Sequence, residues 1–185
     1  VEPKKLSRTE LPLGHLQAVA AARRAGARVI AANAPRRYVR FLRKHQAEGF
    51  EKLTAEQRRM VERPEPLTGG DYRERFYGLM EGMGAHHGGS SMEVDALYYA
   101  QNLWDATMAD SVIQALRAGH RPVLLIVGQF HADFGGGVIQ RIREARPGAE
   151  VLTISYQPVT ADSLREEDQD RADVIVYTAP PQGTS

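Results

Sequence analysis

The feature that most constrains this chain is the run Val123-Leu-Leu-Ile-Val127, held between Pro122 and Gly128. It is too short for an ordinary helix and carries no polar alternation, the pattern of a strand covered on both faces. Arg28 to Ala32 is a second short apolar run, broken by Asn33-Ala34-Pro35. Glu150 to Ser155 and Asp173 to Tyr177 read as two more strands.

Helical patterns fill the spaces between these runs. They cover His15 to Arg24, Arg36 to Gln46, Asp71 to Met83, Met92 to Ala118 and Val138 to Ala145. A further helix opens at Thr54, where Gln57 three residues on completes a capping box, and it ends at Pro64 and Pro66. The acidic stretch Leu164 to Asp170 is expected to be a solvated loop or short helix. Helices alternating with buried strands predict an α/β fold with a mostly parallel sheet and helices on both faces. Four strands are few for such a sheet, and the chain opens on Val1. A single domain that is a piece of a longer or processed chain is therefore expected, with residues 1–13 as its lead-in.

Composition narrows the function classes. The 24 basic and 23 acidic residues give a net charge of +1, so no global field attracts nucleic acid or an anionic membrane. The absence of cysteine excludes thiolate catalysis, disulfides and iron–sulfur ligation within these residues. No apolar run is long enough to span a bilayer as a helix. Membrane association is expected only through an anchor upstream of Val1.

Ligands of open parallel sheets bind beyond the carboxyl ends of the strands. Those ends are Asn33 with Arg36 and Arg37, Gly128 with His131 and Asp133, and Tyr156. Asn33, His131 and Tyr156 are thus expected along one edge. Gly135-Gly136-Gly137 before a helix would let backbone approach a ligand closely, and the helix N-terminus favours an anion. On the long helix, Val94, Leu97, Tyr98, Trp104, Met108, Val112, Ala115 and Leu116 fall within an arc of about 120°. Gln101 and Asp105 sit in the middle of that arc, so Asp105 must be paired, hydrogen-bonded or protonated. Tyr98, Gln101 and Asp105 can point the same way as successive rungs. Tyr99 falls on the opposite side and with Leu103 is expected to be exposed. In the glycine-rich loop 84–91, His86 or His87 could reach a metal or haem iron.

Three stretches resemble the ChaN-type family of iron-regulated, haem-binding lipoproteins of the Tiki superfamily. They are Val29-Ile-Ala-Ala-Asn-Ala-Pro-Arg-Arg37, Gln101-Asn-Leu-Trp-Asp-Ala-Thr-Met-Ala109, and Gly128-Gln-Phe-His131 with its glycines. The resemblance implies a three-layer α/β fold and a homodimer in the bacterial cell envelope that binds haem through a tyrosine. It also implies a role in haem or iron uptake rather than catalysis. Tyr98 is the first choice of iron ligand, with Tyr99 and Tyr156 behind it. His131 matches the superfamily's strand-end histidine and is the candidate metal ligand. The family's N-terminal glycine–glutamate and histidine motif has no counterpart before His15. Two alternatives remain: a Tiki-type hydrolase holding a divalent metal at His131, and a non-catalytic interaction domain.

Overall fold

The computed structural model describes residues 13–84 and 91–179. They divide into an N-terminal segment, through Ala31, and a main body from Ala32 onward. The N-terminal segment holds α1 (Leu13–Arg24), ended by Gly26 at φ 73°. The expected strand 28–32 forms no regular element and joins no ladder among the described residues, and Val29 and Ile30 are both exposed.

The main body is organised around one long helix. Its elements are α2 (Arg36–Glu51), α3 (Ala55–Arg58), α4 (Gly70–Gly84), α5 (Ser91–Arg117), α6 (Gln129–Ala132), α7 (Gly137–Ala145), β1 (Ile154–Gln157) and β2 (Val174–Tyr177). The Thr54–Gln57 capping box forms in both directions, although α3 stops at Arg58, well before Pro64. The acidic stretch contains one 3-10 turn, Glu166–Asp168. His86 and His87 lie outside the described residues.

Helix α5 is buried on nearly every side from Tyr98 to Ala109. This corrects the expected exposure of Tyr99 and Leu103. One face of α5 packs those two residues with Tyr38, Val39 and Leu42 of α2 and with Phe50. The apolar arc meets α7 instead, through Met108, Ala109, Val138 and Ile142. A single-stripe reading of α5 failed because helices pack against two of its sides.

The strands show a second correction. Ladder bonds among the described residues join β1 and β2 alone, in parallel, with Ser155 opposite Ile175. Residues 123–127 are extended, and exposure alternates along them: Leu124 is 83% exposed, whereas Leu125 and Val127 pack on the α5–α7 core. Ala32 and Val151 join them there. The extended segments therefore cover α5 and α7 with one face and leave Leu124, Ile126, Leu152 and Ile154 open on the other. A continuous aliphatic run looks the same in sequence whether one face or both are covered, so periodicity could not separate these cases.

Behind β2, Asp168 is 1% exposed. Burial alone would raise its pKa, but hydrogen bonds from Tyr177 and Arg171 outweigh it and hold the carboxyl below its ordinary value. A depressed folded pKa stabilises above the unfolded value of about 4, and the gain is lost as pH falls through the folded value. Asp168→Asn is expected to flatten the loss of stability below about pH 4, measured by urea denaturation across pH. Leu103 is fully buried, so Leu103→Ala should lower the unfolding free energy by about 2–5 kcal/mol. Leu124→Ser, at an open position, should change it by less than about 0.5 kcal/mol in the same assay.

Candidate functional site

The site begins with one stripe of α5. Tyr98, Gln101, Asn102 and Asp105 follow at helical spacing, and all four are buried. Asp105 is completely inaccessible. Its Oδ2 accepts a 2.5 Å hydrogen bond from the Tyr72 hydroxyl of α4, and its Oδ1 lies 2.5 Å from His131 Nδ1 of α6. Gln101 Nε2 donates to the Tyr72 oxygen at 2.9 Å. Burial, and then the neighbouring carboxylate, push the Tyr72 pKa far above that of an ordinary phenol, so this hydroxyl keeps its proton and donates it.

A carboxylate can only accept, so His131 must carry its proton on Nδ1. Gln101 Nε2, 3.0 Å from the same nitrogen, is then a close neighbour rather than a second donor. The other ring nitrogen, Nε2, makes no hydrogen bond among the described residues, and the side chain is partly exposed. The Trp104 ring stands edge-on to the imidazole at 6.4 Å. Gly128 caps α6, and the His131 amide bonds to the Gly128 carbonyl at 3.0 Å, which fixes the ring's origin.

Two of the three glycines are approached closely by the chain itself. A Cβ on Gly136 would stand 2.6 Å from the His131 carbonyl carbon. One on Gly137 would stand 2.8 Å from Asp105 Cγ and 2.9 Å from Tyr72 Cε1. Gly137 is the first residue of α7, so the anion expected at that helix N-terminus is the Asp105 carboxylate. Arg141, one turn further, adds a favourable charge to Asp105. Its Nη2 also donates to the carbonyls of Pro64 and Pro66 and to Asn102 Oδ1. The Thr68 amide meets the same Asn102 oxygen at 2.7 Å, so the loop 64–68 is fastened to α5.

The three candidate tyrosines occupy different surroundings. The Tyr98 hydroxyl donates to the Thr68 carbonyl, and burial raises its pKa. Tyr99 donates to Glu65 at 3.0 Å, and burial followed by that carboxylate raises its pKa further. Both rings border a cavity of about 280 Å³ with Arg73, Tyr77 and Asp95. Tyr156 is 60% exposed on β1, and its carbonyl accepts a hydrogen bond from the Gln129 side chain. That bond ties the β1 end to the turn that carries His131. Asn33 and Arg36 lie exposed at the start of α2 and make no hydrogen bond or ion pair with the cluster. Tyr72 was the residue that sequence reasoning missed. Its separation of 33 residues from Asp105 leaves no local pattern, and a helical tyrosine beside Phe76 reads as core.

Among the described residues no group of three or more His, Asp or Glu side chains converges as a metal site. The divalent-metal alternative thus finds no ligand set there. Gly137→Ala should crowd the carboxylate and cost about 1–3 kcal/mol of stability, with Gly148→Ala, which meets open space, as the control in thermal denaturation.

Comparison with known proteins agrees with this geometry in one respect. The family described as haem-binding uptake, Tiki superfamily, ChaN, matches residues 15–142, which include Tyr72, Gln101, Asp105 and His131. No curated protein and no solved structure matches significantly. With more than half of its length matched, the chain belongs to the ChaN family of haem-binding uptake proteins in the Tiki superfamily.

Proposed function

We propose that this protein binds haem at the His131 turn and serves haem or iron uptake in the bacterial cell envelope, as a homodimer without catalytic activity. The observation that carries this reading is the imidazole of His131. Its Nδ1 is held by a fully buried carboxylate, its Nε2 makes no hydrogen bond among the described residues, and the side chain is partly exposed. A carboxylate behind an imidazole fixes the tautomer, orients the ring and raises its basicity toward a metal. Haem supplies an iron centre that takes a nitrogen or phenolate donor on its axis.

The residues present fit such a group unequally. His131 offers a ring nitrogen with no hydrogen bond among the described residues, and Tyr156 is an exposed residue whose backbone carbonyl accepts a hydrogen bond from Gln129 of the same turn. Gln101 and Asp105 stand behind His131 as positioning residues. Tyr98 and Tyr99 would first have to give up bonds to Thr68 and Glu65 and lose protons that burial holds. The open aliphatic face formed by Leu124, Ile126, Leu152 and Ile154 supports the fuller three-layer arrangement, since such side chains favour a covering layer over water. Lipid anchorage rests on family membership alone. No helix among the described residues is long and apolar enough to cross a membrane.

A hemin titration followed by absorbance tests the reading. A saturable Soret shift is expected, weakened about tenfold or more in His131→Ala, Tyr156→Phe being the comparison for the alternative donor. A wild-type chain that gives no saturable shift would sink the reading. An undiminished shift in His131→Ala, with loss in Tyr156→Phe or Tyr98→Phe, would move the iron to a tyrosine.

A further inference from the structure

The turn that carries His131 continues into a cluster of arginines and aromatic rings. Phe134 is held at φ 56°, a left-handed conformation that residues with a side chain seldom adopt. Its amide is fixed by the Arg171 carbonyl at 2.7 Å. Its ring is flanked by two guanidinium groups, Arg171 at 4.6 Å and Arg75 at 4.8 Å from the ring centre.

These two cations differ in their partners. Arg171 is matched twice, by Asp133 at 2.8 Å and Asp168 at 2.6 Å. Arg75 forms no ion pair among the described residues. Its one hydrogen bond goes from Nη2 to a neutral acceptor, the Asp133 carbonyl, at 3.0 Å. Its Nε is buried without a partner. Asp71 and Asp133 act on it only from beyond ion-pair range, and Arg171 repels it. Arg75 is thus a half-buried cation with no carboxylate partner and no hydrogen bond at Nη1 among the described residues. Desolvating a charge without a partner is unfavourable, and an incoming anion would offset that cost.

The surroundings define the chemistry of that anion. Besides Phe134, the Arg75 guanidinium lies 5.6 Å from the Phe130 ring centre and 5.9 Å from that of Tyr72. Phe130 is the residue next to His131, and Tyr72 holds the same carboxylate that holds His131. A carboxylate borne on a flat apolar ring system meets both demands, the planar fork of arginine and the aromatic walls.

Resting on the haem reading above, we infer that Arg75 is the anchor for a carboxylate side chain of the porphyrin, with Phe130 and Phe134 as its apolar flank. Three residues of one turn and one of α4 then divide the ligand between them: His131 faces the metal, and Arg75 faces the acid edge.

The test compares hemin with its dimethyl ester, in which the carboxylates are blocked, on the unaltered protein and on Arg75→Gln. The unaltered protein should bind hemin about tenfold more tightly than the ester, the loss expected for one charge-assisted hydrogen bond. Arg75→Gln should lose that preference while keeping its affinity for the ester. Equal affinities of the unaltered protein for acid and ester would overturn the inference and leave the haem reading standing. Equal losses for both ligands in Arg75→Gln would also overturn it, since the residue would then act on the fold. A protein that binds neither would overturn the haem reading and the inference with it. The ester comparison needs no variant, so a poorly folding Arg75→Gln does not spare the idea.

Discussion

The Asp105 carboxylate, out of reach of solvent, is the constraint on which the rest of the main body turns. An ionised group taken from water costs several kcal/mol unless every lone pair is met. Four groups from three elements converge to meet it: Tyr72 from α4, His131 from α6, and from α7 its first turn beside Gly137 and the Arg141 charge. Each of these has its own dependency. Tyr72 must stay protonated, which burial ensures. Gly137 must lack a side chain, because the carboxylate occupies that space. Arg141 must reach past Asp105 to Asn102 and the loop at Pro64 and Pro66. A single buried charge thereby fixes the relative placement of three helices and a turn, and its chemical consequence is the tautomer of His131.

Much of this was legible, and the physical reason is periodicity. A 3.6-residue repeat marks helices whatever they pack against, so α1, α2, α4, α5 and α7 fall close to the expected positions. The same repeat exposed Asp105 and Gln101 as polar groups inside an apolar arc, which is the one local sign of the site. What periodicity omits is the partner. Nothing near Tyr72 in the chain announces a bond to a residue 33 positions away, and nothing in Val123–Val127 says how many of its faces are covered. The exposure assigned to Tyr99 and Leu103 failed for a related reason. A helix wedged between α2 and α7 needs apolar residues on two sides, and a single arc describes only one of them.

The glycine triplet shows how a correct local rule can lead to the wrong occupant. Glycine before a helix does admit a close anion, and one is there. It is supplied by Asp105 of α5, so the first turn of α7 faces a carboxylate of the same chain.

The choice between histidine and tyrosine as the iron-facing group turns on protons. Binding iron through a phenol requires the hydroxyl to lose its proton. At Tyr98 and Tyr99, burial opposes that loss, and at Tyr99 the Glu65 carboxylate opposes it further. His131 differs from them in geometry: its Nδ1 is held by Asp105, and its Nε2 makes no hydrogen bond among the described residues. An iron ligand drawn from the buried tyrosines would need the loop at Thr68 or Glu65 to open first. The loop is fastened by Asn102 and Arg141, and Arg141 also adds its charge beside Asp105. The structure therefore couples access to Tyr98 with disruption of the network that sets His131, whereas Tyr156, on the open face of β1, stands outside that coupling.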